Sequence, residues 1–312
     1  MKEIRVGITG ASGYIGRRLM NHFIQQGHFV NVISRSSGKF IVHKQLEIFE
    51  ADLSNPDPEV MKAFVEKVDV VYHLAAELID HSKMLSTNVR GTEAIVNAIK
   101  DTTKVLIHLS SIGVFDFSTS LTIHEDSSKQ TFNLYEESKL KAELVIENAR
   151  KTEQINAIIL RPSIVLGLEM KSHILNHIKR LLDHGIDLNI SREVVANFVL
   201  ADDVVNALVF LSKEEDAIGE NYNFSNDLAL ADFLGLIKNI LPSKRRIHFS
   251  GKIFSNLLKV LKWFGIISIS DDGIAFFSNK TTISSSKINE ELGFRFDSNY
   301  PVFLKEYLNM TK

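Results

Sequence analysis

Apolar residues along this chain fall in short unbroken runs, separated by longer stretches in which they recur every three or four positions. Runs over residues 4–8, 29–33, 45–50, 68–74, 104–110 and 155–160 read as strands. Between the first two, Ile15, Leu19 and Phe23 share one helical face and Gly27 stands where that helix would stop. Stretches 59–67, 88–100 and 135–150 read as further helices. Strands alternating with helices imply right-handed crossovers, so the fold class expected is α/β, a doubly wound parallel sheet of the Rossmann type. The pattern loosens after Arg161-Pro162. Residues 1–167 are therefore expected to form one domain, with 168–312 mainly a smaller C-terminal substrate lobe and 197–212 returning to the first domain.

The first strand runs into Thr9-Gly10-Ala11-Ser12-Gly13-Tyr14-Ile15-Gly16. Gly10 permits a tight turn, Gly13 lets backbone approach a pyrophosphate, and Gly16 lets the next helix sit close to the sheet. The amides of a helix N-terminus would face the phosphates, with Gly10, Ser12, Gly13, Tyr14 and Ile15 as the expected contacts. The end of the second strand then chooses between cofactors: an acid suits the ribose of NAD, a base the extra phosphate of NADP. No Asp or Glu occurs between Gly16 and Glu47, and Ser34-Arg35-Ser36 stands at the strand end with Lys39 nearby. Arg35 thus favours NADP, with NAD left open.

Tyr135 and Lys139 are four residues apart, on one helical face. A tyrosine with an ordinary pKa of about 10 becomes a better acid or base near neutrality when a fixed cation stabilises its phenolate, and Lys139 is expected to supply that charge. Ser110-Ser111 ends a strand at the carboxyl edge, where open parallel sheets bind ligands. A hydroxyl there can hydrogen-bond a carbonyl oxygen while Tyr135 transfers its proton.

The glycine spacing and the Ser-Tyr-Lys set resemble the extended short-chain dehydrogenase/reductase family, and residues 174–189 followed by 194–208 look most like its nucleotide-sugar 4-ketoreductases and epimerases. The resemblance matches Ser111 to the catalytic serine of a motif that here reads Ser110-Ser111-Ile112-Gly113-Val114-Phe115-Asp116, with Ser110 as the fallback. It implies adenine contacts at Asp52 and Leu53, and a cofactor-facing loop at His73-Leu74-Ala75-Ala76. It further implies cofactor-site positions at Asn88 and Pro162, the latter within Arg161-Pro162-Ser163-Ile164-Val165-Leu166-Gly167. Residues 197–204 and 286–294 resemble two later family segments. Ile112 and Gly113 replace the Asp-Glu pair of the family's sugar-nucleotide dehydratases, Phe115-Asp116 replaces Tyr-Gly, and Leu200 replaces a frequent His. What remains suits NADPH-dependent reduction of a carbonyl, for which a nucleotide-4-ketosugar is the expected substrate. The alternatives are a nucleotide-sugar epimerase, a steroid- or flavonoid-type alcohol reductase, and a non-catalytic NADP-binding scaffold. The resemblance also implies a homodimer through the helix that bears Tyr135.

Composition narrows the partners. The chain has 312 residues, 45% hydrophobic and 24% charged, with a net charge of −2 that gives no reason to expect nucleic acid. It contains 0 cysteines, and Met1-Lys2-Glu3 leads directly into a strand, so a reducing cytoplasm is the expected location. Residues 253–269 are too charged at Lys259 and Lys262 to span a bilayer and read as an amphipathic helix, either over the substrate lobe or at a membrane surface. His173 and His177 could share a helical face, but His184 would lie about 16 Å from His173, and no metal site is expected. Lys244-Arg245-Arg246, Arg180 and Arg192 are candidate diphosphate contacts or solvated charges.

Overall fold

The computed structural model describes residues 3–99, 105–169, 173–241, 247–250, 256, 278–297 and 299–310. Its elements begin with β1 (Arg5–Thr9), α1 (Tyr14–Gln25), β2 (Phe29–Ser34), β3 (Leu46–Glu50), α2 (Pro58–Val65), β4 (Val70–His73), α3 (His81–Leu85), α4 (Gly91–Ile99) and β5 (Val105–Leu109). They continue through β6 (Thr122–Ile123), α5 (Leu134–Lys151), β7 (Ala157–Pro162), β8 (Ile164–Leu166), α6 (His173–Asp183) and β9 (Ile186–Asn189). Then come β10 (Val195–Ala196), β11 (Phe198–Leu200), α7 (Ala201–Leu211), β12 (Asn221–Phe224) and β13 (Leu228–Ala229). The rest comprises α8 (Leu230–Ile240), β14 (Ile247–Ser250), β15 (Thr282–Ile283) and α9 (Tyr300–Met310).

Seven strands, all parallel, form the central sheet in the order β12-β7-β5-β4-β1-β2-β3. Strands covered on both faces need apolar residues on both, which is why β4 and β7 are buried throughout. One face packs α1 and α7, through Leu19, Phe23, Val204 and Leu208, against Ile8, Tyr72, Ile107 and Leu160. The other packs α2, α4 and α5, through Phe64, Ile95 and Ile146, against Val71, Leu106 and Ile159. The strand order reverses between β1 and β4, which opens a crevice at their carboxyl ends.

Two features depart from the sequence pattern. β12 joins the central sheet although it comes from the stretch assigned to the C-terminal lobe; its alternation of Asn221 and Asn223 with Tyr222 and Phe224 conceals a strand whose aromatic side packs on Ile288 and Phe294. Within 197–212 the helix α7 lies on the central core, whereas its strand β11 pairs with β8 outside the central sheet. A second core, built from Leu175, Ile178, Phe233 and Leu304, joins α6, α8 and α9. The amphipathic stretch 253–269 and Lys244-Arg245-Arg246 lie outside the described residues, apart from Asn256, as do the His173 and His177 side chains. Among the described residues no helix is long and apolar enough to cross a membrane.

A buried ion pair fixes α5 to the sheet. Arg161 on β7 and Glu143 on α5 both have fully buried side chains. The guanidinium donates from Nε to one carboxylate oxygen at 2.8 Å and from Nη2 to the other at 2.9 Å. Lys129 Nζ adds a third contact at 3.1 Å, and the Phe115 ring lies 5.0 Å from the Arg161 guanidinium carbon. Burial alone would raise the Glu143 carboxyl, yet Arg161 and Lys129 hold it below its ordinary value. Both oxygens are satisfied, so the pair is stable as a pair and costly to break. Arg161→Met leaves the carboxylate buried beside Lys129 alone and is expected to lower stability to urea by about 3–5 kcal/mol. A loss under about 1 kcal/mol, as for a surface pair, would contradict this assignment.

Candidate active site

β1 delivers the chain into the glycine turn at the crevice. Gly10 has φ +74°, and a Cβ built there would lie 2.7 Å from the Ala75 nitrogen. A Cβ at Gly16 would come 2.2 Å from the Gly10 oxygen, so these two positions admit no side chain without backbone movement. At Gly13 a Cβ would meet only the Gly10 oxygen, at 3.2 Å; beyond it the space belongs to the cleft. Gly13 also precedes the first turn of α1, which has no side-chain cap. A helix start with its amides uncapped beside an open glycine is the shape a pyrophosphate needs.

The cleft encloses about 510 Å³. Gly10, Ser12, Gly13, Tyr14 and Ile15 line it, together with Arg35 and Lys39 after β2 and Asp52 and Leu53 after β3. Leu74, Ala75 and Ala76 follow from β4. Ser110 and Ser111 after β5, Tyr135 and Lys139 on α5, and Pro162 on β7 complete the expected set. Residues not anticipated also line it, among them Glu77, Leu78, Thr87 and Ser163. Each directly follows or neighbours an expected motif, and that adjacency was the available signal. Tyr14 is held by Gly167, where a Cβ would lie 2.2 Å from its ring, and by the Arg18 guanidinium 4.7 Å from the ring centre.

Asn88 corrects an expectation. It is 2% exposed, does not line the cleft, and sits in the π-helical turn Ser86–Arg90. Its Oδ1 accepts from the Glu77 amide at 2.6 Å, and its Nδ2 donates to the Glu77 carbonyl at 3.0 Å and to Ser138 Oγ at 2.8 Å. With its amide used in this way, Asn88 ties the loop after β4 to α5 and positions the wall of the cleft. A buried hydrogen-bond chain supports the same wall. Thr92 Oγ1 donates to the Asn88 carbonyl at 2.6 Å, so it accepts from His73 Nε2 at 2.8 Å. That leaves His73 Nδ1 to accept from Thr9 Oγ1 at 2.7 Å, while Thr9 accepts from the Ala75 amide at 3.2 Å. Burial first, then the Lys139 charge, holds His73 down to about 3, so the ring is neutral as this chain requires.

α5 begins where Asn133 Oδ1 accepts from the Glu136 amide at 2.9 Å and Glu136 Oε2 from the Phe132 amide at 2.8 Å, a start that places Tyr135 in the first turn. Burial, then the Glu136 charge, pushes the Tyr135 phenol up to about 12. This departs from the expectation that Lys139 lowers it. Lys139 Nζ instead donates to the Leu109 carbonyl at 2.5 Å and lies 3.3 Å from His108 Nε2. Burial brings Lys139 down to about 8, against an opposing pull from Glu143. Ser111 Oγ accepts from the Gly113 amide at 3.1 Å and so keeps its own proton to donate. Ile112 and Gly113 form the short turn Ile112–Val114 and bring no acid to the cleft. Leu200 is buried and lines a separate cavity, and Arg192 pairs with Asp232 at 2.7 Å. His184 Nδ1 donates to the Arg180 carbonyl at 2.7 Å, and no metal-holding cluster occurs among the described residues.

Comparison with known proteins places this geometry. The model of the NAD dependent epimerase/dehydratase family matches residues 6–225. The chain is similar to a 3 beta-hydroxysteroid dehydrogenase/Delta 5-->4-isomerase of Mycobacterium tuberculosis, 27% identical over 52% of this chain and 47% of that one. It spans about half the length of the first curated relatives it matches. In shape it is similar to the Bordetella bronchiseptica enzyme WbmG, solved in complex with NAD, with a TM-score of 0.75 at 18% identity over 99% and 94% of the two chains. The UDP-glucose 4-epimerase of Thermotoga maritima, solved with UDP-glucose, gives 0.73 at 19% over 99% of each chain.

Proposed function

This chain belongs to the NAD-dependent epimerase/dehydratase family of enzymes, and we propose that it reduces the carbonyl of a nucleotide-4-ketosugar with NADPH. The observation that carries the reading is that Tyr135, Ser111 and Lys139 line one cleft with the uncapped start of α1, which brings together the proton donor, the carbonyl partner and the cofactor cradle that carbonyl reduction needs. When bound, the reduced nicotinamide supplies a hydride to the carbonyl carbon. Tyr135 gives its phenolic proton to the carbonyl oxygen and regains one from water. Ser111, its hydroxyl proton free, donates to that same oxygen, and Lys139 holds a positive charge at the end of β5. Ile112 and Gly113 lack the second acid and base that dehydration demands.

The choice of NADPH rests on the end of β2. Arg35 and Lys39 line the cleft there, and Ser34 Oγ donates to the Ser36 carbonyl at 3.0 Å. Glu50, paired with Ser34 in register on β3, accepts from the Ser37 amide at 2.7 Å and is thereby engaged. The Arg35 guanidinium at the strand end suits a 2′-phosphate, with the carboxylates of Asp52 and Glu77 within reach of its charge. The proposal includes a cytoplasmic enzyme, in accord with a chain of 0 cysteines, whose residues 168–312 mainly supply the substrate lobe. It also includes a homodimer through α5, supported by Leu144, 46% exposed on that helix. A second reading, a nucleotide-sugar epimerase, is supported by the likeness to the Thermotoga enzyme.

Arg35→Ala is expected to weaken NADPH about tenfold or more in calorimetry and NADH only slightly, because only NADPH offers the phosphate. Equal weakening of both would make NAD the cofactor. Reductase and epimerase part in stopped-flow absorbance of the enzyme with NADPH and a UDP-4-ketohexose, followed by analysis of the sugar product. Stoichiometric loss of NADPH is expected. A changed sugar epimer with constant NADPH would overturn reduction in favour of epimerisation.

A further inference from the structure

Thr9, His73 and His108 stand side by side in one row across β1, β4 and β5, where register pairs Thr9 with His73 and His73 with His108. They are 0%, 0% and 1% exposed, on the sheet face that α4 and α5 cover. Polar residues so placed need partners. Thr9 and His73 have theirs, in the chain that ends on the Asn88 carbonyl. His108 lies outside that chain: its ring centre is 5.2 Å from that of His73, at 34°, and among the described residues it makes a single hydrogen-bonding approach, from Nε2 to Lys139 Nζ at 3.3 Å, while its buried Nδ1 has no partner there.

Chemistry decides the roles in that approach. An ammonium has only protons to give, so His108 must be neutral, with the Nε2 lone pair accepting and the proton on Nδ1. Burial, then the Lys139 charge, keeps His108 well below its ordinary value, which is the same state. The groups facing Lys139 are few. β5 presents His108 and the Leu109 carbonyl, β4 presents His73 beyond His108, and α5 presents Tyr135 and Glu143 one turn to either side. Glu143 is occupied by Arg161, and the Leu109 carbonyl is neutral backbone. Of these, His108 is the side chain whose lone pair meets the ammonium directly.

We propose that His108 is the positioning residue of Lys139: its neutral Nε2 holds the ammonium at the carboxyl end of β5 and sets the pH up to which that lysine stays charged. The proposal deepens the functional reading above, and rests on it for the part Lys139 plays in turnover. A merely space-filling histidine would be replaced by phenylalanine without effect on the Lys139 titration. A hydrogen-bonding one would not. Loss of an acceptor for a charged donor destabilises the ammonium and moves its titration down.

The test follows the Lys139 side-chain methylene signal through pH in the full chain, with lysine labelled in carbon-13 and Lys139→Met assigning the signal. His108→Phe is expected to lower the Lys139 midpoint by about one pH unit or more, the size of a hydrogen bond to a charged group. His108→Gln, which returns an oxygen near the Nε2 position, is expected to restore most of it. An unchanged midpoint in folded His108→Phe, or equal shifts in both variants, would overturn the proposal. Should His108→Phe fail to fold, nitrogen-15 histidine spectra of the unaltered chain decide. They are expected to show the Nδ1–H tautomer of His108 from about pH 5 to 8, and an Nε2–H tautomer or an imidazolium would overturn it. Dinucleotide affinity is measured alongside. A chain that binds neither NADPH nor NADH contradicts the proposed function, while the Lys139 titration still reports on His108.

Discussion

The two-point contact between Arg161 and Glu143 decides where α5 lies over the sheet, and the site follows from that placement. Glu143 is one helical turn beyond Lys139, which is one turn beyond Tyr135, so all three project from the same face of α5. Locking the last of them to β7 leaves the helix little freedom to rotate or slide. Lys139 is therefore held above the end of β5 and Tyr135 at the cleft. Burying both charges costs a large desolvation energy, which is offset by the two hydrogen bonds between them, by Lys129 on the carboxylate and by the Glu125 carbonyl on Nη1 of the guanidinium. An apolar pair could have stabilised the packing as well, but without the directionality of two parallel hydrogen bonds.

The rest of the wall is built from hydrogen bonds whose direction is forced. The chain from the Ala75 amide through Thr9, His73 and Thr92 to the Asn88 carbonyl links β1, β4 and the turn before α4, and Asn88 carries the link on to Ser138 in α5. The glycine turn and the Tyr135 helix are thus two ends of one polar network through an otherwise apolar interior. Low local dielectric makes such a network stiff when complete and costly when a member is missing. It also explains the electrostatics of the site. Tyr135 and Lys139 are pushed towards their neutral forms chiefly by burial, which leaves a protonated phenol beside a lysine at about 8.

Local information was legible in the sequence. Strand and helix alternation, the turn at Gly10, Gly13 and Gly16, the bare end of β2, and the spacing of Tyr135 and Lys139 all lie within a few residues of one another. Long-range partners were not. His108 meets Lys139 across 31 positions and Arg161 meets Glu143 across 18, and no periodicity announces either contact. The family resemblance makes Asn88 a site position, but its use as a brace depends on Glu77 and Ser138, which only folding brings together. The same limit explains the reading of Lys139: helical spacing puts it near Tyr135, while the atoms that take its hydrogen bonds belong to β5. β12 is hidden in the sequence because Asn221 and Asn223 interrupt its apolar residues, and its pairing with β7 depends on a partner far away in the chain.

The central claim is that the polar edge of this sheet is a working proton-transfer site and not only a dinucleotide cradle. Tyr135→Phe tests it most directly, since it removes one hydroxyl and keeps the ring. Calorimetry with NADPH and turnover of a UDP-4-ketohexose are measured on the same preparation. NADPH affinity is expected to hold while turnover falls about a hundredfold or more, as for a lost general acid; turnover equal to that of the unaltered chain would contradict the account.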